Sequence, residues 1–154
     1  MSLDLFELYS LESQSARLAA SQVKCLNRIV IGDVGSGKTV VAFLTALSYL
    51  QGLPVTGQAC LLAPTEVLAY QHYSSLEKLI AEFVAKGLDF QWLNRVFLTA
   101  KNTYLNGQKL TKKKLAQVLT QTNRKIFWIG THALLHHEHI VPDLVMVDEQ
   151  HRFG

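Results

Sequence analysis

The 154 residues amount to one domain's worth of chain, long enough to bury roughly two thirds of the unfolded surface around a core. Apolar residues make up 49% and charged residues 18%, which excludes a disordered tail and a highly charged coiled coil. The net charge is only +3, yet between Lys86 and Lys125 nine Lys and Arg stand against one acid, Asp89; such a basic middle invites a phosphate-bearing partner, although Lys112, Lys113 and Lys114 alone read as a solvated helix face.

In chain order, Met1-Ser2-Leu3-Asp4 puts no basic region before an apolar stretch, so the start does not read as a signal peptide. A helix is predicted over about Ser13 to Lys24, then an apolar strand over Arg28 to Gly32. Gly32-Asp33-Val34-Gly35-Ser36-Gly37-Lys38-Thr39 follows, matching Gly-x-x-x-x-Gly-Lys-[Ser/Thr] between a strand and a helix. Its glycines let the backbone curl until consecutive N–H groups face one point, and the next helix adds its positive end there. That point is a phosphate site, with Lys38 on the β- and γ-phosphates of ATP and the Thr39 hydroxyl on Mg²⁺. The helix is predicted over Lys38 to Leu50, with Val41, Leu44 and Leu47 on one face. Its apolar stretch is broken by Gln51, Gly52 and Pro54, short of the roughly 20 residues a bilayer needs. No membrane partner and a cytoplasmic location are expected, and isolated Cys25 and Cys60 fit a reducing compartment.

Further strands are predicted at Ala59–Ala63, Arg95–Thr99, Lys125–Gly130 and Leu144–Asp148, with helices at Glu66–Lys86 and Thr111–Thr120. The strands do not alternate apolar with polar, as expected when both faces are covered. The β, α, β, α order predicts one α/β domain over 1–154, a parallel sheet with helices on both faces. Ligands bind such sheets at the carboxyl ends of the strands. Asp148 lies at such an end and suits Mg²⁺, through water, because a hard cation takes oxygen ligands. Glu149, one residue on, points elsewhere and could polarise the water attacking the γ-phosphate. His132 and His136 could share a metal on a helix, but no Cys or acid at ligand spacing completes the set. Trp92, Phe127 and Trp128 could stack on bases, but core packing is the stronger reading for the strand residues Phe127 and Trp128.

Asp148-Glu149-Gln150-His151-Arg152-Phe153-Gly154, taken with the Gly32–Thr39 loop, resembles the superfamily 2 DNA helicases, specifically the RecG-type translocases of branched DNA. Ala63-Pro64-Thr65-Glu66-Val67-Leu68-Ala69 with Gln71-His72 resembles that family's motif Ia, and Ile129-Gly130-Thr131-His132-Ala133-Leu134-Leu135 its next DNA-facing motif. The transcription-repair coupling factors are similar but typically carry Asp-Glu-Glu-His, so Gln150 and Ser36 favour the RecG type. The resemblance runs from about Tyr9 to Gly154 and implies a P-loop NTPase with a RecA-like sheet. It implies DNA phosphates on Pro64, Thr65, Thr131 and His132, where hydroxyl and N–H groups grip without sequence preference. It also implies that Gln150 and His151 couple nucleotide state to DNA grip and that Gln14 reads adenine. Leu98-Thr99-Ala100-Lys101 stands where the family often has Leu-Thr-Gly-Ser, which puts a tight backbone approach there in doubt. The family's wedge domain, third motif and second RecA-like lobe with its arginine fingers are not among these residues, so the expectation is an incomplete lobe truncated after the Asp-Glu motif. The third-motif strand would insert between Arg28–Gly32 and Leu144–Asp148. Besides the motor lobe, two readings stay open: another P-loop ATPase or nucleotide kinase, and a nucleic-acid-binding remnant without catalysis.

Overall fold

The computed structural model describes residues 37–138 and 140–148. The chain divides into two compact units, Met1–Pro54 and Val55–Gly154. The helix expected over Ser13–Lys24 and the strand expected over Arg28–Gly32 lie outside the described residues.

In the first unit, helix α1 spans Lys38–Gly52. Gly37 caps it at φ 85°, ψ 15°, a left-handed conformation that a side chain at this position would oppose. Its carbonyl accepts from the Val41 N–H at 3.1 Å, which starts the helical ladder. Phe43, Ala46, Leu47 and Leu50 are buried, the i, i+3, i+4, i+7 stripe of an amphipathic helix. The helix stops at Leu53, which is extended, as the residue before a proline must be when its α region is crowded out.

The second unit is a six-stranded sheet. In chain order it runs β1 (Gln58–Leu62), α2 (Glu66–Ala85), β2 (Leu93–Leu98), β3 (Thr103–Leu105), β4 (Gln108–Lys109), α3 (Lys112–Thr120), β5 (Lys125–Gly130), a 3₁₀ turn at His132–His136, and β6 (Leu144–Val147). The spatial order is β4-β3-β2-β5-β1-β6. The four strands β2, β5, β1 and β6 are mutually parallel, whereas β3 and β4 fold back antiparallel as a hairpin. The sheet is therefore mixed rather than purely parallel as expected. Asn106 and Gly107 have φ of 50° and 87°, a two-residue hairpin turn that Asn-Gly favours. Asn106 is held against β2: its Oδ1 accepts from Arg95 N–H at 2.8 Å, and its side-chain amide donates to Asn94 Oδ1 at 3.1 Å.

Both faces of β1, β2 and β5 are covered, which explains their unbroken apolar runs, whereas β6, at the sheet edge among the described residues, leaves Val145 and Val147 exposed, against the expectation from its equally apolar sequence. On one face Cys60, Leu62, Val96, Leu98, Ile126 and Trp128 pack with Leu115 of α3 and Leu134 of the 3₁₀ turn. The residues of opposite parity, such as Leu61, Phe97, Phe127 and Ile129, are equally buried. Against that face lies α2, with Tyr73 and Phe97 ring centroids 5.5 Å apart. Phe127 and Trp128 are core residues, and the indole N–H of Trp128 donates to Gln58 Oε1 at 3.0 Å, so burial leaves it satisfied. Burial pushes the Cys60 thiol up to about 12, which makes it an inert core residue.

Candidate functional site

Because β2, β5, β1 and β6 are parallel, their carboxyl ends lie along one edge. The register aligns Leu62 with Gly130 and Val147, and Leu98 with Gly130. The residues that follow therefore leave the sheet side by side: Ala63-Pro64-Thr65, Thr99, Thr131-His132 and Asp148. Two backbone bonds extend the ladder by one step, Ala63 N–H to Gly130 O and Asp148 N–H to Leu62 O, both 2.9 Å. Gly130 has no room for a side chain, since a Cβ there would collide with the Leu98 carbonyl.

Helix α2 ties three of these segments together. Thr65 is its N-cap, with the hydroxyl accepting from Leu68 N–H at 3.2 Å. One residue on, Glu66 Oε1 accepts from the Asn102 amide at 2.6 Å and the Thr99 hydroxyl at 2.9 Å. These two bonds, Asn102 first, hold the Glu66 carboxyl below its ordinary value. Two turns from the cap, His72 Nε2 lies 2.7 Å from Asp148 Oδ2, both side chains being largely covered. Asp148 is thus fixed twice, by its backbone N–H in the ladder and by a side chain from α2.

The loop Thr99-Ala100-Lys101-Asn102 closes without glycine. Thr99 N–H donates to Asn102 O at 2.9 Å, Asn102 N–H donates to Thr99 Oγ1 at 3.0 Å, and Asn106 is the one non-glycine residue with positive φ among the described residues. The departure from Leu-Thr-Gly-Ser therefore leaves a tight turn intact.

Of the predicted site residues, Gly37, Lys38 and Thr39 stand at the amino end of α1, with Lys38 exposed and Thr39 half-buried. In the second unit, Pro64, Thr65, Thr131, His132 and Asp148 share the carboxyl edge. Thr65 and His132 are exposed, and the Thr131 hydroxyl makes no capping bond to the 3₁₀ turn. Gly32, Asp33, Val34, Gly35, Ser36, Gln14, Glu149, Gln150 and His151 lie outside the described residues. His132 and His136 sit on a 3₁₀ turn, where positions four apart do not stack, and among the described residues no three His, Cys, Asp or Glu are grouped to hold a metal. The sequence reading missed roles for Glu66 and His72. Glu66, directly after the cap residue Thr65, carried a local signal as a first-turn acid, whereas the His72 contact spans 76 residues.

The profile of the DEAD/DEAH box helicases matches residues 13–154. The chain belongs to this family. It is 41% identical over 132 residues to the ATP-dependent DNA helicase RecG of Synechocystis, 34% over 131 residues to that of Aquifex aeolicus, and 40% over 130 residues to that of Pasteurella multocida. These alignments cover 84%, 84% and 82% of this chain but 14%, 14% and 16% of the relatives, so the chain spans about one seventh of their length. No solved structure matches it. Among the described residues, no helix is long and apolar enough to cross a membrane.

Proposed function

We propose that the chain is the ATP-binding motor lobe of a RecG-type DNA translocase, a single RecA-like lobe that acts in the cytoplasm on branched DNA with a wedge domain and a second lobe. The observation that carries this is the joint presence of the P-loop sequence and the Asp-Glu motif within a helicase-family match covering residues 13–154. The residues fit the nucleotide and its cation. Gly37 holds the left-handed cap that turns the loop into α1, whose first N–H groups have no intrahelical partner. Thr39 and Asp148 offer a hydroxyl and a carboxylate, the oxygen donors a hard cation takes.

In this reading Gly32, Asp33, Val34, Gly35, Ser36 and Gly37 cradle the phosphates with backbone N–H groups, Lys38 neutralises them, and Gln14 reads the adenine. Thr39 and Asp148 hold Mg²⁺, which neutralises charge on the phosphates when bound. Glu149 orients the attacking water and takes its proton. Pro64, Thr65, Thr131 and His132 hold DNA phosphates, and Gln150 and His151 transmit nucleotide state. The supporting geometry for transmission is α2 itself. Thr65 at its cap and His72 against Asp148 are seven residues apart, about 10 Å along one rigid helix, so a shift of the DNA-facing end moves the partner of the metal carboxylate.

Phosphate release from ATP, measured with and without DNA, tests the reading. With the second lobe supplied, release stimulated by DNA and lost in Glu149→Gln is expected, whereas the lobe alone should be nearly inactive because the arginine fingers belong to the second lobe. Transfer of the phosphoryl group to a small nucleotide acceptor, or release indifferent to DNA, would contradict it.

A further inference from the structure

A groove of about 450 Å³ opens beside the Thr99–Asn102 loop, within the range of about 300–1,000 Å³ that small-ligand pockets occupy. Its walls are aromatic. Phe97 forms a buried floor, Tyr70 of α2 stands edge-on to it with centroids 5.6 Å apart and planes at 80°, and Tyr104 of β3 lies 6.0 Å from Tyr70. Tyr70 is 45% exposed and its neighbour Val67 68% exposed, unusual for large side chains in a unit whose other aromatics are mostly core. At one end of the groove the Glu66 carboxylate and Asn102 amide present polar atoms. The rim is cationic, for Lys101 adjoins Asn102 and Lys112 Nζ donates to Ala100 O at 3.3 Å.

We propose that this groove takes one unstacked base of a nucleic-acid strand, its ring against Tyr70, with the flanking phosphates on Lys101 and Lys112. The proposal rests on the reading of the chain as a DNA-binding lobe and adds a base-stacking subsite to backbone contacts. Any base has a π face, so stacking on the exposed ring of Tyr70, which Tyr104 backs, is tolerant of sequence. The Glu66 carboxylate accepts hydrogen bonds only, which suits an exocyclic amine and repels a phosphate, so the base rather than the backbone enters. An apolar side chain of a protein partner would also fit the walls. Charge complementarity decides between them: Lys101 and Lys112 stand at the Thr99–Asn102 loop beside the groove, which suits a strand with a phosphate on either side of the base. A base inside a duplex is stacked on both sides and does not reach the groove, so single strands are preferred.

The test is fluorescence anisotropy of a labelled single-stranded oligonucleotide of about twelve residues and of the same strand with abasic sites throughout. For the unaltered chain, removal of the bases weakens binding about tenfold or more, the effect of losing one good stack. Tyr70→Ala with an unchanged circular dichroism melt weakens binding to the intact strand to a similar extent and no longer distinguishes it from the abasic strand, while Tyr70→Phe keeps the difference. Tyr104→Ala, which removes the ring packed against Tyr70, is the second variant. Intact-strand binding that neither alanine variant weakens overturns the groove proposal, leaves the DNA-binding reading standing, and assigns the groove to a protein partner's apolar side chain. No binding of any oligonucleotide at low salt overturns both.

Discussion

The Glu66 carboxylate ties the start of α2 to the Thr99–Asn102 loop through donors at 2.6 and 2.9 Å. Its pKa is lowered by folding, so its stabilising contribution is fully present above the unfolded value of about 4.5 and is lost as pH falls through the lower folded value. Thermal melts of the unaltered chain and Glu66→Gln should therefore differ most at neutral pH and converge as pH drops below about 4.5. A gap that widens on acidification would contradict this. At this scale the sequence is uneven as a guide. Lys38 and Asp148 are legible because their chemistry follows from a short contiguous pattern. The pairing of His72 with Asp148 is not, because it needs the α2 and β6 positions to be brought together in space.

Helix α3 has one buried residue, Leu115, with Lys112, Lys113 and Lys114 exposed. Its attachment to the sheet rests chiefly on that side chain, which packs with Val96, Trp128 and Leu134, with half-buried Leu119 of the same helix against the same core. Leu115→Ala should cost about 2–5 kcal/mol in a urea melt, against no more than about 0.5 kcal/mol for Lys113→Ala. Equal costs would mean that α3 is not anchored in this way. The long elements were legible: Lys125–Gly130 falls where the apolar run predicted it, and α1 and α2 end within two residues of the expected limits. The β3–β4 hairpin was not, since strands of three and two residues are too short to show a period. Asn106-Gly107 was the available signal. Its consequence reaches the groove, because β3 supplies Tyr104.

For the molecule as a whole, a sequence-indifferent grip on DNA should be dominated by phosphate contacts. The logarithm of the binding constant for a DNA oligonucleotide should then fall linearly with the logarithm of salt concentration, with a slope of about 0.9 per phosphate neutralised on a duplex and about 0.7 on a single strand. A flat salt response would return the basic residues between Lys86 and Lys125 to a solvated face. The central claim is nucleotide binding through the P-loop, and titration of a fluorescent ATP analogue in the presence of Mg²⁺ tests it most directly. Lys38→Ala should abolish binding while leaving the circular dichroism spectrum intact, because Lys38 is an exposed first-turn residue of α1 and alanine is a good helix former. A folded Lys38→Ala chain that binds the analogue as tightly as the unaltered protein would contradict the account.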